Sequence, residues 1–216
     1  KNTQYNIPPE DLLLANILSG TLDPDKIDYL LRDSLYCGVP FGESVNRDRL
    51  ESSIKYDSVR KRLAITSKGV DAVEALVFTN YLMYRNVYWH HGVRSASAMF
   101  KRAVQEILLH PECQLDGNRF HLLTESELIA QLKFEQQRLQ LTGSAQLLEG
   151  TICRRLYKVG AVIHPGERKR ALMDYLYELF HNPAKRREKE IELCHTFSRE
   201  LGRPLSGHEI LIDIPG

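Results

Sequence analysis

The stretch from Leu22 to Gly38 constrains this chain more than any other, because it reads as one helix with both ends marked. Asp23 suits the N-cap, Pro24 the first helical position and Gly38 the stop. Asp25, Tyr29 and Asp33 recur every four residues and so stack on one face, with Lys26 and Arg32 at its edges. Ile27, Leu30, Leu31 and Leu35 are left for the buried side. A face carrying two carboxylates, a phenol and two cations is unusual where a helix only has to meet water. It has the groups to hold a metal, phosphates and a sugar.

The rest of the composition narrows the class of protein. At 216 residues and 43% hydrophobic, the chain can bury a substantial core. Lys plus Arg, 29, nearly balance Asp plus Glu, 28, so the global basic field of a nucleic-acid binder is missing. Local basic clusters remain at Arg154-Arg155, Arg168-Lys169-Arg170 and Lys185-Arg186-Arg187. They read either as solvated helix faces or as a site for an anionic nucleotide or nucleic acid. Cys37, Cys113, Cys153 and Cys194 are dispersed, with no CxxC pair, which argues against a zinc ribbon and for free thiols in a reducing cytoplasm. No apolar run approaches the roughly 20 residues of a membrane span, and no membrane association is expected.

Along the chain, Lys1–Ile7 reads as a loop and Pro8-Pro9-Glu10-Asp11 as the opening of a short helix. Leu12, Leu13, Leu14, Ile17 and Leu18 give that helix an apolar face, and Gly20 ends it. After the Leu22–Gly38 helix come a breaker-rich loop at Val39–Gly42, a short helix from Asn46 to Ile54, and a hairpin pairing Lys55–Val59 with Lys61–Thr66. Gly69 leads into a long helix with apolar positions at Val70, Val73, Leu76, Val77, Leu82 and Met83, kinked at Gly92 and continuing to Leu109. Pro111–His121 reads as a loop. Thr124-Glu125-Ser126-Glu127 is a capping box opening a helix to about Leu132, and Ser144–Leu156 is the next helix. Tyr157–Ile163 is extended, Gly166–Phe180 is amphipathic helix, and Asn182-Pro183 caps a charged helix to Leu201. His208–Pro215, with Ile210, Ile212 and Ile214 alternating, reads as a strand. The expected fold is mainly α, a helical-bundle portion at 1–110, with a smaller mixed α/β part at 111–216.

The run Asp23 to Asp33, Asp-Pro-Asp-Lys-Ile-Asp-Tyr-Leu-Leu-Arg-Asp, resembles the signature of the HD-domain deoxynucleoside triphosphate triphosphohydrolases. Lys68-Gly69 and Tyr84-Arg85-Asn86-Val87-Tyr88-Trp89-His90-His91 extend the resemblance downstream. It implies metal-dependent cleavage of a dNTP, dGTP-like, to deoxynucleoside and triphosphate, with Mg²⁺, Mn²⁺ or a similar divalent metal. Position by position, it implies Asp25 as the last metal ligand of an H…HD…D set and Lys26 as a contact to substrate phosphates. Tyr29 and Asp33 would pack on and hydrogen-bond the deoxyribose, and Tyr88 would stand at the sugar edge against a 2′-hydroxyl. It also implies a nucleotide effector and a homo-oligomer. Asn80 departs from a phosphate-binding arginine frequent in the family, and Trp89 from a glutamine in the human member.

Lys1–Leu22 supplies none of the upstream histidines of that set, and the first histidine is His90. The expectation is therefore an interior or C-terminal piece of a longer enzyme, catalytically incompetent alone, with the catalytic residues not identified. His90 and His91 are adjacent, point apart on a helix and read as packing, hydrogen-bonding or interface residues, not metal ligands. From spacing alone, Tyr84 and Tyr88 fit a helix core. Two other functions stay open: a helical regulatory or oligomerisation module, and an HD phosphohydrolase acting on another nucleotide or phosphomonoester.

Overall fold

The computed structural model describes residues 12–19, 22–60, 62–163 and 170–214. The expected loop at Lys1–Ile7, the helix opening at Pro8–Asp11, its stop at Gly20, Lys61 of the hairpin, Gly166–Lys169 and the last residues Pro215 and Gly216 lie outside them. The chain forms two compact units, 1–90 and 91–216. The contacts group the helix that starts at His91 with the second unit, whereas the sequence division at 110/111 places it with the first. No helix among the described residues is long and apolar enough to cross a membrane.

In the first unit, α1 (Leu12–Ser19) touches the hairpin and α2 (Pro24–Tyr36). The start of α2 follows the sequence: Asp23 is extended and its carboxylate accepts from Lys26 N at 2.5 Å, and Pro24 opens the first turn. A 3₁₀ turn (Pro40–Ser44), α3 (Arg47–Ser53), the antiparallel pair β1 (Ile54–Asp57) and β2 (Arg62–Ile65), a 3₁₀ turn (Ser67–Gly69) and α4 (Val70–Met83) follow. Ile27, Leu30, Val45, Leu50, Ala72, Leu76 and Met83 form the core.

Polar side chains pin the loop that returns from α2. Buried Ser34 donates to Val39 O at 2.6 Å and accepts from Gly42 N at 2.8 Å. Thr79 on α4 donates to Phe41 O at 2.8 Å. Because Ser34 holds the buried position on that turn, Leu35, expected inside, is 77% exposed. Leu14 and Leu18 of α1 and Val70 and Val77 of α4, also read as apolar-face positions, are exposed too.

The second unit is built from α5 (His91–Leu108), a 3₁₀ turn (Gly117–Leu122), α6 (Glu125–Arg138), α7 (Thr142–Ile152), α8 (Arg170–His181) and α9 (Pro183–Leu201). Met99, Ala103, Ile107, Leu132, Leu147 and Leu148 make its core, and α5 packs along α7. The capping box at Thr124 and Glu127 forms, as does the Asn182 cap with Pro183 in the first turn.

The mainly α reading holds, but of the strand expected at His208–Pro215 the described part, His208–Ile214, is not strand. Among the described residues the sheet has two strands, β1 and β2, both in the first unit. The alternating isoleucines have no neighbouring strand to pair with, so the segment stays irregular and is held by side chains. Arg94 grips Asp213 with two bonds of 2.6 and 2.7 Å, Glu190 accepts from Ile212 N at 2.7 Å, and Tyr157 OH donates to His208 O at 3.1 Å. Glu190 also pairs with Arg102 of α5, both side chains nearly fully buried.

Candidate functional site

The site lies in the first unit, where α2 meets the end of α4. Ile27 and Leu30 drive one side of α2 into the core and leave Asp25, Tyr29 and Asp33 along a more open side. Asp25 is exposed in the first turn. Lys26 Nζ lies 3.3 Å from Asp23 Oδ2, so in this state the ammonium is engaged within its own helix start. Tyr29 is partly buried, and Arg32 pairs with Asp28, its Nε 3.8 Å from Asp33.

The partner of Asp33 comes from far away in sequence. After Met83 the helix widens into a π turn at Tyr84–Tyr88, closed by Trp89 N donating to Tyr84 O at 2.8 Å. Tyr88 OH there donates to Asp33 Oδ2 at 2.7 Å. The rings of Tyr29 and Tyr84 stand edge-on to Tyr88, with centroids 6.3 and 5.2 Å away, and Trp89 packs edge-on to Tyr84 at 5.7 Å.

Burial first, then the hydrogen bond to Asp33 and its charge, push the Tyr88 phenol well above the ordinary tyrosine range. The Tyr29 phenol is also raised, by burial first and then by Tyr84 and the carboxylates of Asp23, Asp25 and Asp33. Both phenols are therefore neutral donors at physiological pH. The arrangement offers a carboxylate acceptor, two phenol edges and a nearby ammonium, the groups needed to bind a sugar that carries phosphates.

Three of the sequence candidates, Tyr29, Asp33 and Tyr88, form one contact cluster, while Asp25 and Lys26 sit on the preceding turn of the same helix. Spacing missed Tyr84, read as core but 40% exposed and packed on Tyr88. It also missed Asn86, whose side chain donates to Leu82 O at 2.8 Å. A period of 3.6 residues carries no mark of a π turn.

Among the described residues no group of three His, Cys, Asp or Glu side chains stands close enough to hold a metal ion. Asp25 offers a single carboxylate, whereas a hard divalent cation takes about six oxygen ligands. The described residues do not fit a metal site by themselves.

A helical scaffold with a carboxylate–phenol cluster at a helix's π turn is what fold and site define. The chain belongs to the HD associated region family, whose model matches residues 45–216 and so includes Tyr88 but not α2. It is similar to an uncharacterized protein of Methanocaldococcus jannaschii, 41% identical over 93 residues, and to the uncharacterized protein YwfO of Bacillus subtilis, 31% over 103 residues. It is 25% identical over 159 residues to the deoxynucleoside triphosphate triphosphohydrolase SAMHD1 of Danio rerio. These stretches cover 43%, 47% and 68% of this chain. The chain spans only 21%, 22% and 25% of those relatives' lengths. A solved phosphohydrolase of Bacteroides thetaiotaomicron shares the fold, with a TM-score of 0.58 at 23% identity over 94% of this chain and 50% of its own.

Proposed function

We propose that this chain supplies the sugar-holding side of a phosphohydrolase acting on deoxynucleoside triphosphates. The observation that carries the reading is the Tyr88–Asp33 hydrogen bond with Tyr29 beside it. The likeness to the zebrafish triphosphohydrolase supports it. In this reading the 3′-hydroxyl donates to Asp33, Tyr29 lies against the sugar, and the Tyr88 ring fills the space a 2′-hydroxyl would need. An acceptor left unpaired by a wrong sugar costs about 1–3 kcal/mol, enough to discriminate. Lys26 turns from Asp23 to the polyphosphate, where a point charge neutralises the phosphate oxygens. Water then cleaves the bond between the α-phosphate and the deoxynucleoside oxygen, releasing deoxynucleoside and triphosphate. A divalent cation belongs to the proposal only with a ligand set completed by residues other than those described, Asp25 being one carboxylate of it. A nucleotide effector and a homo-oligomeric state belong to the same proposal.

The test is triphosphate release from a mixed dNTP pool, with Mg²⁺ or Mn²⁺, by the natural full-length product and its Asp25→Asn and Asp33→Asn variants. The reading expects release from the wild type, none from Asp25→Asn, and a raised KM in Asp33→Asn. Release of orthophosphate instead would mean cleavage at the terminal phosphate and would overturn the triphosphate-releasing reading. No release under any condition, effectors included, would make the chain a regulatory or oligomerisation module.

A further inference from the structure

We propose that Asn86 is a positioning residue: its side chain braces the π turn, and the π turn aims the Tyr88 hydroxyl at Asp33. The geometry begins with a helix that is α through Met83 and π from Tyr84 to Tyr88. A π turn holds one more residue than an α turn. Had α4 continued as α-helix, each later side chain would be rotated by about 100°, one residue's share of a 3.6-residue turn. The azimuth that faces Asp33 would then fall to Val87, which has nothing to donate. The widened turn is therefore what gives Asp33 its donor across 55 residues of sequence.

A π turn is less favourable than the α turn it replaces and persists where something holds it. Asn86 is in position to do so through a backbone carbonyl, whereas Arg85 reaches only the Tyr81 hydroxyl, at 3.4 Å. Asn86 is exposed, and its Nδ2 donates to Leu82 O at 2.8 Å, tying the middle of the π turn to the last α turn. Asparagine is a poor helix-interior residue because its amide competes for backbone groups, and here it makes such a bond. The packing of Tyr84 and Tyr29 on the Tyr88 ring completes the aim.

The Tyr88 phenol reports its own position, since Asp33, Tyr29, Tyr84 and Cys37 are the titratable groups facing it. Asn86→Asp keeps the shape but cannot donate to a carbonyl. Asn86→Ser keeps a hydroxyl donor suited to the carbonyl four residues back. The experiment follows ¹³Cζ-tyrosine resonances of this chain through alkaline pH, with Tyr88 assigned by Tyr88→Phe. In Asn86→Asp the Tyr88 titration is expected to fall toward that of free tyrosine, and in Asn86→Ser to stay high. An added carboxylate alone would move it the other way, so the sign separates repositioning from charge. An unchanged Tyr88 titration in Asn86→Asp would overturn the proposal.

The activity arm rests on the proposed function. In the full-length protein, Asn86→Asp is expected to lower the ratio of dNTP to rNTP kcat/KM about tenfold, because a displaced Tyr88 ring no longer fills the space of the 2′-hydroxyl. Asn86→Ser is expected to retain the ratio. If the wild type hydrolyses no dNTP, the substrate reading fails, and the Tyr88 resonance still decides the role of Asn86.

Discussion

Tyr88 OH donates to Asp33 Oδ2 at 2.7 Å, joining the π turn that ends α4 to the middle of α2. The bond is at once a tertiary contact of the first unit and the centre of the candidate site. Removing the phenol oxygen tests both. Tyr88→Phe keeps the ring packing and leaves Asp33 partly exposed and able to take water. The expected loss is therefore only about 1 kcal/mol, read as a lower urea midpoint at neutral pH. An unchanged midpoint would mean that the bond adds nothing to folding.

The same bond sets an alkaline limit. Because the folded Tyr88 phenol titrates above its ordinary value of 10.0, it stabilises the native state fully below pH 10. Above that, the unfolded phenol ionises first and the contribution is lost as pH rises toward the folded value. The stability gap between wild type and Tyr88→Phe should close above pH 10 in thermal scans. A gap constant to high pH would contradict this.

Acid acts on the second unit through Glu135. Its carboxylate accepts from Arg138 at 2.6 and 3.0 Å and from Gln114 N at 2.7 Å. Arg138 first, then the Gln114 amide, hold it well below the usual carboxylate range, at about 2. A lowered folded value stabilises above the unfolded value of 4.5, and that stability is lost as pH falls from 4.5 to about 2. Glu135→Gln should be less stable than wild type at pH 7 and show a shallower fall in Tm over that window.

The buried Arg102–Glu190 pair ties α5 to α9, and Glu190 in turn holds Ile212 N. Burial, then the neighbouring Arg187 and Arg186, lower Arg102 to about 10, while Glu106 and Cys194 pull the other way. Arg102→Met alone would leave Glu190 buried with an uncompensated charge, at a cost of about 3–5 kcal/mol. Arg102→Met with Glu190→Leu should recover part of that. Equal denaturation midpoints for the single and double variants would show that the charge itself is not the problem.

Gly69 shows how closely backbone and side chain approach at the start of α4. A Cβ there would overlap the Cβ and Oγ of Ser53 and stand 3.0 Å from Ile65 Cγ2. Its φ of −99° is open to any residue, so the constraint is space alone. Gly69→Ala should destabilise by about 1–3 kcal/mol in urea titration, and adding Ser53→Gly should relieve most of it.

The sequence by itself determined the parts of this protein that are local. Asp23, Pro24, Thr124, Glu127, Asn182 and Pro183 mark helix starts because a cap needs only the next three or four residues. The hairpin and the stacking of Asp25, Tyr29 and Asp33 on one side of α2 follow from period and turn chemistry in the same way. Which apolar residues would be covered was not local. Leu14, Leu18, Leu35, Val70 and Val77 have the right period but lie on surfaces that no described element of their unit covers. The segment at His208–Pro215 alternates like a strand, yet a strand is a pairing, and among the described residues of its unit no strand lies beside it. Only the tertiary structure decided that Tyr88 meets Asp33. A π turn changes the azimuth of every residue after it without changing the order of residues, so a reading based on helical period points Tyr88 elsewhere.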